Sequence, residues 1–278
     1  MKYEAYFKKE LGFIERGLKK VLTCRVKSPG VMRRAVRYAV FTGGKRFRPV
    51  LTLAACEACG GRRRDAVLPA IAIEMIHTYS LVHDDLPALD DDDFRRGNPT
   101  CHRQFGEANA ILAGDALLTL AFELLAEVRP PRKAVLVARE IAAAAGVLGM
   151  IGGQVADLAD QGREKNYKEH LDISRRKTGA LIRVSVLAGA VAAAASPRTR
   201  KAMARYGEYL GLAFQFVDDV LDRDGICKAI GPWGAAQKAI ELIGKAKAAV
   251  RCFGPRATKL NYLADFLAAR IPAADERK

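Results

Sequence analysis

The 278 residues are half apolar but only 7% aromatic, and 46 lysines and arginines against 31 acidic residues leave a net charge of +15, in a length that makes one large domain or two small ones. The basic residues are dispersed and show no helix-turn-helix or zinc-finger spacing, which sets nucleic acid aside in favour of a small, highly anionic ligand. A single CxxC pair, Cys56 and Cys59, reads as buried thiols, and no uninterrupted apolar run reaches the ~18 residues of a bilayer span, so a cytoplasmic protein without stable membrane insertion is expected.

Few stretches alternate Val, Ile and Thr as strands do, so the chain reads as all-α, with helices packed closely at small residues. Residues 3–22 form an amphipathic helix with Phe7, Leu11, Ile14, Leu18 and Leu22 on one stripe. Ser28-Pro29 reads as an N-cap and first-turn proline for a helix over 31–41, which Gly43-Gly44 ends. The sequence KRFRP follows and opens an apolar helix over 50–59. The glycines allow a tight turn that presents Lys45 and Arg48 together at a helix start, where backbone N–H groups favour anions. Asp65 caps the next helix, which places Ile71, Glu74 and Leu81 on a packed side and His77 two turns before Asp84, on the same face.

At the end of that helix Asp84, Asp85, Asp90, Asp91, Asp92 and Asp93 fall in ten positions, followed by Arg95 and Arg96. Carboxylates this dense repel one another unless something positive sits among them. Magnesium takes oxygen ligands and binds through one or two carboxylates plus phosphates, and the two arginines add bidentate donors for the same phosphates. Pro87 interrupts the helix.

A loop at 97–99 leads to a helix over 107–127, closed by Pro130-Pro131. The segment 133–160 combines an alanine-rich stretch with Gly149, Gly152 and Gly153, after which Gln154 and Asp157 share one helical face, suited to a water, a neighbour of a metal site or a helix partner. A helix over 174–195 bears Lys177 and Thr178 near its start. After Pro197, residues 199–221 lead into Asp222, and FQFVDDVLD places Asp218 and Asp222 at i and i+4 of an apolar helix. Like charges there are destabilising without a ligand to match. Gly225 and Gly231-Pro232 precede a basic helix over 235–250, and a last helix covers 258–269. With no linker or repeat, residues 1–278 read as one domain.

Five motifs in this order, GGKRFRP (43–49), HDDLPALDDDDFRRG (83–97), GGQVADL (152–158), KTGALI (177–182) and FQFVDDVLD (214–222), resemble the trans-type polyprenyl diphosphate synthases, most closely the bacterial farnesyl diphosphate synthases. The resemblance implies a helical bundle around a deep cavity, a homodimer, and condensation of isopentenyl diphosphate with an allylic diphosphate. It implies about three magnesium ions per site, with manganese as a possible substitute. By that resemblance Asp84, Asp90 and Asp218 ligate the metal with support from Asp85, Asp219 and Asp222. Arg95, Lys177, Thr178 and Gln215 meet the allylic substrate, while Lys45, Arg48, His77 and Arg96 hold isopentenyl diphosphate.

Tyr79, about 7.5 Å down the helix axis from Asp84, is placed with Ser80 to floor the pocket and stop elongation. An aromatic there, with the Pro87-Ala88 insertion, is similar to the farnesyl enzymes and implies a fifteen-carbon product; a geranylgeranyl enzyme is the alternative. The chain departs from the family after Asp222. The usual lysine-bearing segment is shortened, and Lys228 is the candidate to replace its diphosphate-binding lysine. That departure leaves a weakly active or non-catalytic partner subunit as a further alternative. A terpene cyclase is disfavoured because it needs no second diphosphate site.

Overall fold

The computed structural model describes residues 2–27, 30–159 and 165–272. The Ser28-Pro29 cap and the end of the 133–160 segment at Asp160 lie outside them.

Helix α4 (Arg63–Asp84) is the axis of the bundle. Ala66, Ala70, Ala72, Ile73, Met75 and Ile76 are buried around its whole circumference rather than on one side, as a helix surrounded by other helices requires. It packs against α3 (Phe47–Ala58), α6 (Glu107–Ala126) and α10 (Ala180–Ala192). One apolar cluster joins α1 (Lys2–Arg25), α2 (Gly30–Phe41), α4, α6, α7 (Pro131–Ala145) and α10. A second joins α3 and α10 to α11 (Pro197–Asp222), α12 (Ile226–Ala249) and α13 (Thr258–Ala268). Helices α3 and α10 contribute to both. They approach so closely that a Cβ on Gly189 would lie 2.2 Å from the Thr52 carbonyl oxygen.

The apolar periodicity locates most helices. On α1, Phe7, Ile14, Leu18 and Leu22 are buried, with Leu11 half-buried at the edge of the stripe. Ser196 caps α11 by accepting from the Thr199 N–H at 3.2 Å, with Pro197 in the first turn. Asp65 is not the N-cap of α4; it stands three residues inside and accepts from the Arg62 N–H at 3.2 Å. The segment that begins at 133 forms two helices, α7 and α8 (Met150–Ala159), parted at Gly146–Gly149. The expected helix over 174–195 is composite as well: α9 (Tyr167–Ser174), a π-helical turn (Arg175–Gly179), then α10. Sequence reading placed a loop where a short hairpin, β1 (Phe94–Arg95) with β2 (Asn98–Pro99), is followed by α5 (Cys101–Phe105).

One expectation about membranes is corrected. Three stretches, Arg63–Asp84, Glu107–Ala126 and Pro131–Ala159, are long and apolar enough by length and composition to cross a bilayer. Counting uninterrupted apolar runs missed them, because average hydropathy tolerates an occasional charge. The Arg63–Asp84 window is 67% buried inside the bundle.

Candidate active site

Helix α4 ends at Asp84, and the chain folds back at once: the Asp90 N–H donates to the Asp84 carbonyl at 2.8 Å. This turn, with Pro87 exposed on it, brings Asp90 beside Asp84. The hairpin then sorts the remaining aspartates. Arg95 donates to Asp85 (2.5 Å) and Asp92 (3.2 Å), and Arg103 pairs with Asp93. Among the described residues no ion pair engages the side chains of Asp84 or Asp90. Burial pushes the Asp84 carboxyl up to about 6, against the pull of Lys177. A desolvated carboxylate of this kind gains most from an added cation.

The basic loop divides by direction. Arg46, at a left-handed φ of 49°, turns into the core, where it bonds Glu15 (2.7 Å), Glu74 (2.9 Å) and the Val40 carbonyl. Sequence reading did not foresee this role, which explains why Glu74 is buried. Lys45 and Arg48 turn the other way. Burial and then Arg270 press the Lys45 ammonium below its ordinary value, and burial brings Arg48 down to about 10. The Arg48 Nε has no hydrogen-bond partner. Arg96 donates to the Gly43 carbonyl, and a Cβ on Gly44 would fall 2.5 Å from its Nη1, so the glycine pair leaves room for that guanidinium. Burial, followed by Arg48 and Arg96, holds the His77 imidazole well below its ordinary pKa and keeps it neutral. Among the described residues no ion pair engages Lys45, Arg48 or Arg96, and cations clustered this way favour an anion.

On α11, Asp218 and Asp219 diverge. Asp219 is buried and accepts from Gln215 (2.8 Å) and the Ile226 N–H (2.9 Å) beneath the Gly225 turn. Gln215 also accepts from the Thr178 hydroxyl at 2.7 Å, so Thr178, Gln215 and Asp219 form one chain of hydrogen bonds. Asp218 accepts from Arg270 at 2.8 Å. Burial raises its pKa, and Arg270 opposes the rise. Arg270 follows α13, 52 residues from its partner, and no local pattern marks it. Only three residues, 223–225, separate Asp222 from helix α12, consistent with the shortened segment; Lys228 in its first turn pairs with Asp224.

Two cavities meet at Lys177 and Thr178. The first, ≈360 Å³, is lined by Arg48, His77, Asp84 and Gln154 at its polar end and by Tyr79, Met150, Ile151, Val155 and Leu158 beyond. Tyr79 is buried, edge-on to His83 with ring centroids 5.7 Å apart, and Ser80 shares the wall. Both Gln154 amide atoms are buried without partners. The second cavity, ≈700 Å³, is polar and is lined by Asp157, Lys165, Gln215, Asp219, Asp222 and Lys228 together with the shared pair. The π turn exposes that pair. Helix α8 lies flush against it, since a Cβ on Gly153 would stand 2.3 Å from the Lys177 nitrogen. Burial works against the Asp157 carboxylate, yet hydrogen bonds from Lys165 and Lys177, both 2.9 Å, hold its pKa below the ordinary value.

The donor set fits magnesium. Among the described residues no three His, Cys, Asp or Glu side chains converge into a preformed metal cage. Asp84 and Asp90 offer hard oxygen ligands at the fold-back and Asp218 offers another on α11, and magnesium completes such sparse protein sites with phosphate oxygens and water.

Comparison with known proteins gives concordant findings. A family model described as polyprenyl synthetase matches residues 29–232. The farnesyl diphosphate synthase of Geobacillus stearothermophilus is 42% identical over 239 residues, covering 84% of this chain and 80% of that protein. The geranylgeranyl diphosphate synthase of Cyanophora paradoxa is 41% identical over 266 residues, covering 87% and 89%. Among solved structures, an FPP/GFPP synthase from Zymomonas mobilis, crystallised in the apo state, matches with a TM-score of 0.90 at 33% identity, covering 95% of this chain and 99% of that one.

Proposed function

The chain belongs to the polyprenyl synthetase family, and from that premise we propose that it is a prenyltransferase condensing isopentenyl diphosphate with dimethylallyl or geranyl diphosphate, giving mainly farnesyl diphosphate. The observation that carries this reading is the junction at Lys177 and Thr178, which line both an apolar cavity walled in part by Tyr79 and a polar one edged with aspartates and lysines. Such a junction suits a molecule with a hydrocarbon tail and a diphosphate head.

In this reading Asp84, Asp90 and Asp218 hold magnesium, with Asp85, Asp219 and Asp222 supporting, and manganese as a substitute. Bound metal supplies Lewis-acid neutralisation of the departing diphosphate. Lys177 donates to that diphosphate as its bond to the allylic C1 breaks, and the Thr178–Gln215 pair orients the reacting end. Arg95, paired here with Asp85 and Asp92, exchanges those partners for the allylic diphosphate, and Lys228 at the rim reaches the same group. Lys45, Arg48, Arg96 and neutral His77 seat isopentenyl diphosphate. Met150, Ile151, Val155 and Leu158 keep water from the allylic cation until the isopentenyl double bond attacks C1. The proton then lost passes to the released diphosphate.

A cytoplasmic homodimer completes the proposal. Its support is a set of exposed apolar side chains on α6, α7 and the α7–α8 corner: Leu112 (52% exposed), Val135 (70%), Val147 (76%) and Leu148 (83%). The test incubates purified protein with magnesium, labelled isopentenyl diphosphate and dimethylallyl or geranyl diphosphate, then separates products by length. A dominant fifteen-carbon product is expected. No condensation with any allylic primer overturns the reading in favour of a non-catalytic partner subunit.

A further inference from the structure

Lys165 stands at the edge of the polar cavity, two residues before α9, and none of the five motifs contains it. Its side chain is only 14% exposed, an unusual degree of burial for a lysine at a helix entrance. Its ammonium donates to Asp157 Oδ1 at 2.9 Å and lies 3.4 Å from the Asp157 carbonyl oxygen. The other oxygen of the same carboxylate, Oδ2, accepts from Lys177 Nζ at 2.9 Å. One carboxylate therefore bridges two ammonium groups at the wall of a ≈700 Å³ cavity that Lys228, Asp219, Asp222 and Asp224 also line. A pair of lysines braced this way keeps N–H donors over from Asp157.

We propose that Lys165 is a third lysine for the allylic diphosphate, beside Lys177 and Lys228, held in register with Lys177 by Asp157, which acts as a positioning residue for both. The inference rests on the prenyl-transfer reading and adds a residue to it. Geometry favours Lys165 over a purely structural strut. A strut needs one carboxylate for one lysine, whereas here the carboxylate is shared with a residue that lines both cavities. The bridge also fixes where the ammonium sits before substrate arrives, so little side-chain freedom remains to be lost on binding.

The experiment measures inorganic diphosphate binding in the presence of magnesium by calorimetry, together with steady-state KM for each substrate, on wild type, K165M and K165R. K165M is expected to weaken diphosphate binding and raise KM for geranyl diphosphate about tenfold, the loss of one hydrogen bond to a charged group. KM for isopentenyl diphosphate and the thermal midpoint should stay unchanged, and K165R should recover most of the binding. If K165M binds diphosphate as wild type does, or loses thermal stability with binding intact, Lys165 is a strut and the inference is overturned. A wild-type protein that makes no prenyl product overturns the prenyl-transfer reading and this inference together, an outcome distinct from an active wild type with an unaffected K165M.

Discussion

Within the run KRFR, neighbouring cations serve different tasks. Arg46 is almost wholly buried and ties α1 to α4 through Glu15 and Glu74. Removing it strands the Glu74 carboxylate in the core, so R46A should cost about 3–5 kcal/mol in urea unfolding. Replacing Glu74 with leucine in the same chain should restore part of that loss; if it restores none, the buried pair is not the cause. His77 gives a pH signature. Its folded pKa lies well below the ordinary value because of burial and then Arg48, so protonation favours the unfolded chain. The stability that neutral His77 contributes is complete above the unfolded pKa of about 6.5 and falls as pH drops through it, at most about 1.4 kcal/mol per pH unit. Unfolding curves at pH 7.5 and 5.0 should show a smaller acid loss in H77Q than in wild type.

At the level of elements, the π turn Arg175–Gly179 decides where Lys177 and Thr178 point. A regular α-helix would carry those side chains round by a different angle, and the extra residue of the wider turn is stabilised from outside by α8. Gly153 is the contact that permits it, since a methyl group there would collide with the Lys177 backbone at 2.3 and 2.7 Å. G153A should therefore destabilise the protein by about 1–3 kcal/mol and raise KM for the allylic substrate more than for isopentenyl diphosphate. Equal changes in both KM values would detach the π turn from the allylic side. The connection between α11 and α12 works in the same local manner: Gly225, at φ 56°, leaves no space for a Cβ above Asp219, and so a three-residue link closes over the second acidic motif.

Over the whole molecule, the packing of the bundle fixes how Tyr79 lines the apolar cavity. Tyr79 from α4 is braced edge-on by His83, and His83 fits only because Gly114 on α6 has no side chain: a Cβ there would lie 2.1 Å from the imidazole. If Tyr79 limits elongation as proposed, product length depends on the α4–α6 contact as well as on one tyrosine. Y79A should shift the main product from fifteen to twenty carbons, read by chromatography of the dephosphorylated alcohols. A Y79A enzyme that still stops at fifteen would locate the barrier elsewhere along the cavity.

Helical periodicity and the five motifs made the all-α fold, the two acidic groups and the basic loop legible in the sequence, because side chains three and four apart share a face whatever the rest of the chain does. The same local rules could not tell Arg46 from Lys45 and Arg48, since a left-handed residue before α3 reverses the direction of the first relative to the others. They placed Asp84 and Asp90 in one run but could not supply the fold-back that separates this pair from aspartates neutralised by Arg95 and Arg103. Arg270 on Asp218 was beyond local pattern, because that contact spans 52 residues and depends on how α13 returns to α11. Tertiary packing alone decided which charges are paired in the resting protein and which are left facing the cavities, for electrostatic pairing depends on distance in space and not on distance along the chain.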